Sequence, residues 1–458
     1  MAAFSRGILL EARRIRDSLP RKANRYGFAC NIANSMYSTA KALWPLGANI
    51  DVILHPSDHF LMSQPEWEEF GGVVRPGVST LDEATSIGIE FPHIEHVVRP
   101  GVLDYTPQFN EVADFATRRK FDAWRSYYAH LPTIRALREY EALFIIQAPY
   151  LAYLSERPYI ATHMGGDIWY ECSRDDLLGR LQRAAFANAN LLIASNPWSF
   201  AFARRYGFRN LVCMPTLLDP DDYSPGNPDF RDEWMRETDG DFFVLTTARV
   251  DDLFKGSNLA LRGFQIFSEK HARARLVLIG WGADVERHSG RIRELGLAGK
   301  VIWLPPAGKR RLIRYLRSAH VLLDQFVLGY FGMTALEAIA VGTPVVMRLE
   351  EAQYSDFLDA GPPPVLNSSD EAEIASALTA LCASKDFLKQ AGERNRCWFM
   401  RYSGDMAIRE RYLDLLTVTA AGYRFDYSRS PLQSRISSSE MEYHAEQLRN
   451  APVFPNYF

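Results

Sequence analysis

The sequence lacks the features that mark secreted disulfide proteins, membrane proteins and nucleic-acid-binding proteins. Its five cysteines are odd in number, scattered and without a C-x-x-C pair, which is typical of a reducing compartment and excludes a disulfide framework or zinc site. No run approaches the roughly 20 apolar residues that a membrane-spanning helix needs. The formal net charge of −3 is not that of a nucleic-acid-binding protein. We therefore expect no nucleic-acid partner.

The amino-terminal segment also lacks the apolar pattern of a signal peptide. Residues 1–22 contain no apolar core long enough for a signal peptide, so we expect a cytoplasmic protein. Residues 1–30 nevertheless contain seven Arg or Lys and only two acidic residues. A basic helix with Ile8, Leu9, Leu10 and Ile15 on it could contact an anionic surface such as the inner face of the membrane. The alternative is a solvated helix packed on its own domain.

The length of 458 residues predicts more than one domain. Short β-rich runs alternate with helical stretches twice along the chain, which is the pattern of parallel α/β sheets. A turn-rich stretch at 219–230 separates the two alternations and reads as a linker. We therefore predict two Rossmann-like domains, 1–220 and 221–425, whose last helix could cross back, and a polar tail at 426–458.

A carboxylate stands within an apolar helical run near the end of the second alternation. The segment YFGMTALEAIAVGTPVV, residues 330–346, places Glu337 between Gly332 and the break at Gly342. A helix that begins after Gly332 has free N–H groups suited to phosphate, and Glu337 could accept hydrogen bonds from two ribose hydroxyls. The pattern therefore indicates a nucleotide. The alternative is a Glu that reaches solvent or a capping partner.

Two cations and a polar turn follow other predicted strands. Arg249 and Lys255 lie in TARVDDLFKG, at the carboxyl end of the first strand of the second half, where ligands of parallel sheets bind. An Arg that can grip two oxygens and a Lys that acts as a point charge suit a diphosphate. In the first half, ATHMGGDIW places His163 and Asp167 in a turn after a strand, although a His there is more often structural.

The motifs ARVDDLFKG, LVLIGWG, VIWLPP, FGMTALEAIAVGTPVV and HMGGDI together resemble those of the retaining, GT-B-fold glycosyltransferases of family 4, the glycosyl transferases group 1. The resemblance is dense over 242–346. It matches Arg249 and Lys255 to the diphosphate-binding pair, and Glu337 to the ribose-binding glutamate. The phosphate-binding helix start corresponds to Gly332, Met333 and Thr334. His163 and Asp167 match the turn of the first domain that touches the donor sugar.

The sequence departs from that family at two places. Gly329 stands where the family usually has a first glutamate that contacts sugar hydroxyls, and Asp324-Gln325 fits a subset that lacks it. Cys30-Asn31 stands where the family has a Gly-Gly turn. We expect the Asn31 amide to donate to a phosphate or to the acceptor.

The resemblance implies a GT-B fold, with two Rossmann-like domains facing across a cleft. The first domain would lie on the acceptor side and the second would bind the nucleotide sugar. The implied reaction moves a sugar from a nucleotide-diphosphate-sugar donor to a glycan, lipid or other hydroxyl acceptor, with retention of the anomeric configuration. Arg249, Lys255 and the helix start would stabilise the leaving diphosphate, so neither a metal nor a cofactor other than the donor substrate is expected.

In this mechanism His163 shapes the sugar pocket and is not the base. Two other functions stay open: a non-catalytic nucleotide-sugar-binding subunit, and a sugar-nucleotide epimerase on the same fold. Two further motifs have weak specificity. Asp219-Pro220-Asp221 resembles a metal-binding D-x-D but lies in the linker, and Gly280-Trp281-Gly282 lacks the third glycine of a dinucleotide fingerprint.

Overall fold

The computed structural model describes residues 2–20, 22–55, 58–101, 130–282, 284–355 and 357–425, so the predicted polar tail at 426–458 lies outside the described residues. The described residues divide into two compact units. The first comprises Met1–Gln64, Ile94–Thr216 and Ala407–Phe458, and the second comprises Pro65–His93 and Leu217–Met406. The division at Thr216 is close to the predicted boundary at 220. Residues 65–93, which the prediction placed in the first domain, belong to the second unit. The last helix belongs to the first unit from Ala407 onward, as a helix that crosses back would.

Each unit contains one parallel sheet, so the prediction of two α/β domains is confirmed. The first sheet has the order β3-β2-β1-β4-β5-β6-β7 and the second has the order β10-β9-β8-β11-β12-β13. The strands are β1 Arg25–Ala29, β2 Asn49–Ile53, β3 Val97–Val98, β4 Ala142–Ile145, β5 Tyr159–Thr162, β6 Leu191–Ala194, β7 Leu211–Cys213, β8 Phe242–Thr246, β9 Ala274–Ile279, β10 Val301–Leu304, β11 Val321–Leu323, β12 Val345–Met347 and β13 Leu366–Asn367.

Helices alternate with these strands along the chain. They are α1 Ala2–Ser18, α2 Ser35–Leu43, α3 Pro65–Glu69, α4 Leu81–Ser86, α5 Leu131–Leu137, α6 Pro149–Ser155, α7 Gly166–Trp169, α8 Leu177–Asn188, α9 Pro197–Arg205, α10 Arg231–Thr238, α11 Ser257–Lys270, α12 Val285–Glu294, α13 Lys309–Ser318, α14 Met333–Ala340, α15 Glu351–Tyr354, α16 Glu371–Ala383, α17 Lys385–Phe399 and α18 Met406–Ala420. The sequence pattern predicts helices over 257–270 and 309–318 and a strand over 301–304, and these bounds coincide with those of α11, α13 and β10. None of the described helices is both long and apolar enough to cross a membrane.

The strand orders create one switch point in each sheet, where neighbouring crossovers run in opposite directions. It lies between β1 and β4 in the first unit and between β8 and β11 in the second. Ligands of open parallel sheets bind outside the carboxyl ends of the strands at such points. The residues that follow β8 and β11 include Arg249, Lys255 and Gly332, so the fold of the second unit places the predicted diphosphate-binding groups at its switch point.

The amino-terminal helix α1 packs on its own unit. Ile8 and Leu9 are buried. On α18, the Asp414 carboxylate accepts hydrogen bonds from Arg13 Nε at 3.2 Å and Arg16 Nη1 at 2.5 Å. Burial of Ile8 and Leu9 matches the alternative of a helix packed on its own domain, whereas Leu10 is 66% exposed. Membrane contact stays a prediction that would have to use Leu10 and exposed cations of this helix.

We predict that Asp414→Asn lowers the free energy of unfolding of the first unit by about 1–3 kcal/mol, because charge-assisted bonds to two guanidinium groups are lost. Chemical denaturation of the full chain measures the change. Asp17→Asn is the matched control, since Asp17 is exposed and also pairs with Arg16; it should change stability by less than about 0.5 kcal/mol. Equal effects of the two variants would show that the contact between α1 and α18 contributes little.

Candidate functional site

The turn between β8 and α11 carries both predicted diphosphate-binding cations. The Arg249 side chain is 45% exposed, and its Nε donates to Asp251 Oδ2 at 2.9 Å. Its guanidinium carbon lies 5.6 Å from the centroid of the Phe254 ring. Gly256 ends the turn with a φ of 68° and precedes the first residue of α11. Arg249 is therefore held by neighbours in the turn while its guanidinium stays accessible to an anion.

Gly280-Trp281-Gly282 supports this turn through backbone contacts. Trp281 Nε1 donates to the Thr247 carbonyl oxygen at 3.0 Å, and the Val250 N–H donates to the Trp281 carbonyl oxygen at 2.9 Å. Gly282 has a φ of 113°, and a Cβ on it would lie 2.7 Å from the Val250 carbonyl oxygen. The glycine is thus required by the close approach of two backbone segments, which gives this motif a structural reason.

Lys255 points toward the end of β11. Its Nζ donates to Gln325 Oε1 at 3.3 Å and lies 4.0 Å from Asp324 Oδ1. Asp324 is buried, and neither carboxylate oxygen has a hydrogen-bond partner among the described residues. Burial raises the pKa of Asp324, and the charge of Lys255 opposes that rise. Lys255 is thus held at the end of β11 by a neutral amide and a buried carboxyl group.

Helix α14 begins with free N–H groups and ends in a closed cap. Gly332 precedes the helix, has extended backbone and provides no side-chain cap; a Cβ on it would meet nothing within 4 Å. At the other end, the Gly342 N–H donates to the Ile339 carbonyl oxygen at 3.1 Å, and Gly342 has a φ of 80°. This arrangement is the glycine-capped end that the sequence predicts. The open, uncapped start leaves room for an anion at Gly332, Met333 and Thr334.

Glu337 is buried on α14 and pairs with a lysine that the sequence analysis missed. Lys309 Nζ donates to Glu337 Oε1 at 2.6 Å, and the side chains of Lys309 and Glu337 are 18% and 3% exposed. Burial lowers the pKa of the Lys309 ammonium, but the charges of Glu337 and Glu68 outweigh it, so the pKa lies above its usual value. The carboxylate therefore has a fixed cationic partner and one further oxygen.

A signal for Lys309 does exist in the sequence. Lys309 is the first residue of α13, where the positive end of the helix dipole disfavours a cation. A lysine at such a position indicates a nearby carboxylate that offsets the cost. The identity of that carboxylate depends on how α13 packs against α14, which local sequence does not reveal.

Gly329, the position that departs from the resembling family, is a glycine for backbone reasons. Its φ is 65°, and a Cβ on it would lie 2.6 Å from Glu350 Cγ. A glutamate at 329 would therefore combine left-handed backbone strain with a steric clash. Changing Gly329 to Glu, the obvious way to restore the family pattern, would disturb this loop.

In the first unit, His163 follows β5 and is fully buried. Its Nε2 accepts a hydrogen bond from the Ser195 N–H at 3.3 Å, and its Nδ1 has no hydrogen-bond partner among the described residues. Burial lowers the pKa of His163 to about 3, so the ring is neutral and, because Nε2 accepts, its proton lies on Nδ1. His163 therefore has one buried N–H donor that lacks a hydrogen-bond partner among the described residues.

Asp167 shapes the turn that holds His163. Its Oδ1 accepts the N–H groups of Met164 and Gly165, both at 2.9 Å, and that of Ile168 at 3.0 Å. Burial raises the pKa of Asp167 to about 7, while these backbone bonds favour the ionised form. The carboxylate is used inside the turn, so Asp167 positions the backbone near Gly165, whose φ is 116°. Direct contact of this carboxylate with a sugar stays a prediction.

The expectation for Asn31 needs correction. Its Nδ2 donates to Asn34 Oδ1 and to the Ser63 carbonyl oxygen, at 2.7 and 2.8 Å, and its Oδ1 accepts from the Tyr37 N–H at 2.8 Å. Both amide protons are therefore used inside the unit, and none is left for a phosphate or an acceptor. The preceding Cys30 has a φ of 65°, so the backbone keeps a conformation that favours glycine.

The D-x-D sequence in the linker forms a turn. The Asp221 N–H donates to Asp219 Oδ1 at 2.9 Å, as an aspartate does when it closes an Asx turn. Within the described parts of the chain, no group of three or more His, Cys, Asp or Glu side chains is placed to hold a metal ion.

Two parallel-sheet α/β units are the architecture of the GT-B fold, and comparison with known proteins supports the resemblance to GT-B glycosyltransferases. Residues 230–397 match the family model of glycosyl transferases group 1. The D-inositol 3-phosphate glycosyltransferase of Nocardia farcinica is 26% identical over 187 residues, 40% of this chain and 42% of that protein. The mannosylfructose-phosphate synthase of Agrobacterium fabrum is 34% identical over 107 residues, 21% of this chain and 23% of that protein. The chain thus matches less than half the length of these curated relatives.

Solved structures show the same fold over most of the chain. Sucrose-phosphate synthase from Thermosynechococcus elongatus superimposes with a TM-score of 0.57 at 17% identity, covering 87% of this chain and 100% of that one. Anabaena Alr3699/HepE, solved with UDP-glucose, gives a TM-score of 0.59 at 14% identity, covering 86% of this chain and 100% of that one. At such identities the likeness establishes the fold.

We predict that His163 makes the first unit less stable in acid. Because its pKa is about 3 in the folded chain and about 6.5 in the unfolded chain, its contribution is present above pH 6.5 and is lost as the pH falls toward 3. Between pH 7 and pH 5, His163→Gln should therefore lose about 2 kcal/mol less stability than the parent. Urea denaturation at the two pH values measures this difference. The same loss in both proteins would show that the ring is not buried in neutral form.

Proposed function

We propose that the chain is a glycosyltransferase that uses a nucleotide-diphosphate-sugar donor. The observation that carries this proposal is the grouping of anion-binding elements at the switch point of the second unit. Arg249 and Lys255 lie on the turn after β8, and the uncapped start of α14 at Gly332 follows β11. The matched family and the relatives are glycosyltransferases, and a neighbour of the same fold binds UDP-glucose.

The diphosphate would be bound by three different kinds of positive group. The accessible guanidinium of Arg249 can grip two oxygens, the Lys255 ammonium supplies a point charge, and the helix start at Gly332 supplies N–H donors. When the bond between the anomeric carbon and the phosphate oxygen breaks, the diphosphate gains negative charge. The same groups then stabilise the transition state more than the bound donor, which is the requirement for catalysis.

The ribose would bind to the second carboxylate oxygen of Glu337. Lys309 engages Oε1, which orients the carboxylate, and the other oxygen can accept a hydrogen bond from a ribose hydroxyl. The burial of both side chains makes the carboxylate a fixed acceptor rather than a mobile one. This arrangement supports recognition of a nucleotide. Calorimetry with different nucleoside diphosphates identifies the base.

In the first unit, the neutral His163 offers an N–H donor at Nδ1 that suits a hydroxyl oxygen of the donor sugar. Because Nε2 is occupied by the Ser195 N–H, the ring has no free lone pair with which to remove a proton. We therefore infer that His163 positions the sugar. The departing phosphate oxygen would accept the proton of the acceptor hydroxyl on the same face of the sugar, and that route retains the anomeric configuration.

We predict that Glu337→Gln weakens nucleoside diphosphate binding about 10- to 100-fold, since one charge-assisted hydrogen bond to the ribose is reduced. Calorimetry with UDP, GDP and ADP measures this. Gln keeps an oxygen that can accept from Lys309, so the fold should persist. Lys309→Met is the matched variant: it breaks the same ion pair but leaves the carboxylate. If Glu337→Gln binds nucleotide as tightly as the parent while both variants lose stability, Glu337 has only a structural role.

We predict that Arg249→Ala lowers turnover by about 100-fold or more, because its charge matters most when the leaving phosphate gains charge. The control is Arg262→Ala, an arginine of α11 that is 50% exposed and pairs with Glu371. The assay is transfer of labelled sugar to a panel of hydroxyl acceptors, including glycans and lipids. Equal activities of the two variants would remove Arg249 from the catalytic groups.

The same assay tests the proposed independence from metal. Because cations of the chain serve the diphosphate, excess EDTA should leave the rate largely unchanged. Loss of activity in EDTA and recovery with Mg²⁺ or Mn²⁺ would contradict this assignment. Nuclear magnetic resonance of the product gives its anomeric configuration and so tests retention. Conversion of the donor without any acceptor would instead indicate an epimerase, and binding without turnover would indicate a non-catalytic subunit.

A further inference from the structure

A carboxylate stands beside the loop that leads from β11 to α14. The Glu350 N–H donates to the Gly329 carbonyl oxygen at 2.8 Å, so the segment after β12 is attached to this loop. Glu350 Cγ lies 2.6 Å, and its Oε1 3.4 Å, from the position that a Cβ of residue 329 would occupy. The side chain of Glu350 thus fills the space that the glycine leaves open.

An arginine holds this carboxylate in place. Arg348 Nη2 donates to Glu350 Oε1 at 2.7 Å, and Arg348 Nη1 donates to the Val327 carbonyl oxygen at 3.3 Å. The Arg348 N–H also donates to the Gln325 carbonyl oxygen at 2.9 Å. Arg348 therefore ties Glu350 to the loop 324–332 through side chain and backbone together. The Glu350 side chain is 49% exposed, so its carboxylate is accessible to a ligand.

The position of this pair relative to the anion-binding helix start follows from the chain itself. Gly329 is three residues before Gly332, so their Cα atoms are at most about 11 Å apart. On the proposed function, the diphosphate of the donor binds at the helix start at Gly332, and the sugar is bonded directly to its distal phosphate. A fixed carboxylate at this distance can reach the sugar, and carboxylate oxygens accept hydrogen bonds from hydroxyl groups.

We propose that Glu350, oriented by Arg348, binds hydroxyl groups of the donor sugar and determines which sugar is accepted. This assignment rests on the proposed function. It gives Gly329 a reason beyond backbone geometry, because any side chain at 329 would displace the Glu350 carboxylate. The ligand class is the neutral hexose of a nucleotide-diphosphate sugar, since an acidic sugar would place a second carboxylate beside Glu350.

The test compares binding of a sugar nucleotide with binding of its own nucleoside diphosphate. Calorimetry uses the pairs UDP-glucose and UDP, GDP-mannose and GDP, and ADP-glucose and ADP. For the pair that binds the parent best, Glu350→Gln should weaken binding of the sugar nucleotide about 10-fold and change binding of the nucleoside diphosphate less than 2-fold. Arg348→Met should act in the same direction, because it releases the carboxylate from its oriented position.

Glu351→Gln is the control, since Glu351 is the next residue along the chain and its Oε1 accepts instead from Asn367 Nδ2. It should change neither affinity. If Glu350→Gln leaves the ratio of the two affinities unchanged, Glu350 does not bind the sugar, and the proposed function still stands. If no pair binds the parent at all, the proposed function itself fails. Thermal unfolding of each variant confirms that the fold is kept.

Discussion

The ion pair between Lys309 and Glu337 is the interaction on which the candidate site of the second unit depends. It joins α13 to α14 at 2.6 Å, with both groups largely removed from water. Loss of one partner would leave an uncompensated buried charge, which costs about 3–5 kcal/mol, whereas the intact pair contributes little net stability. The main effect of the pair is therefore to fix the position of the Glu337 carboxylate relative to the uncapped start of the same helix.

The remaining groups of the second unit are fixed by backbone geometry. The turn bearing Arg249 is supported by Gly282, where two backbone segments approach closely, and the loop before Gly332 turns through the left-handed Gly329. Lys255 is drawn to the end of β11 by Gln325 and Asp324. In each case a glycine or a buried polar group restricts where a cation or an N–H donor can point, so the site is organised before any ligand arrives.

The first unit shows a different use of polar residues. Asn31 and Asp167 have their hydrogen-bonding capacity used by the loops that they shape, whereas a ring nitrogen of His163 has no hydrogen-bond partner among the described residues. A polar residue after a parallel strand can therefore either bind a ligand or satisfy the backbone of its own loop. Sequence pattern does not separate these two uses, because both favour the same residue types at the same place.

The sequence by itself determined the two parallel-sheet units, the bounds of α11 and α13, and the glycine-bounded helix α14, because periodicity and capping are local properties of the chain. It also indicated that Arg249, Lys255 and Glu337 are candidate site residues, because the first two follow a strand and the third lies in that helix. Only the tertiary structure decided the partner of Glu337, the full use of Asn31 and the place of Glu350 beside Gly329. The ion pair of Glu337, the bond from Asn31 Nδ2 to the Ser63 carbonyl oxygen and the contact of Glu350 with Gly329 join segments that lie far apart along the chain. Such contacts are set by packing that no local pattern records.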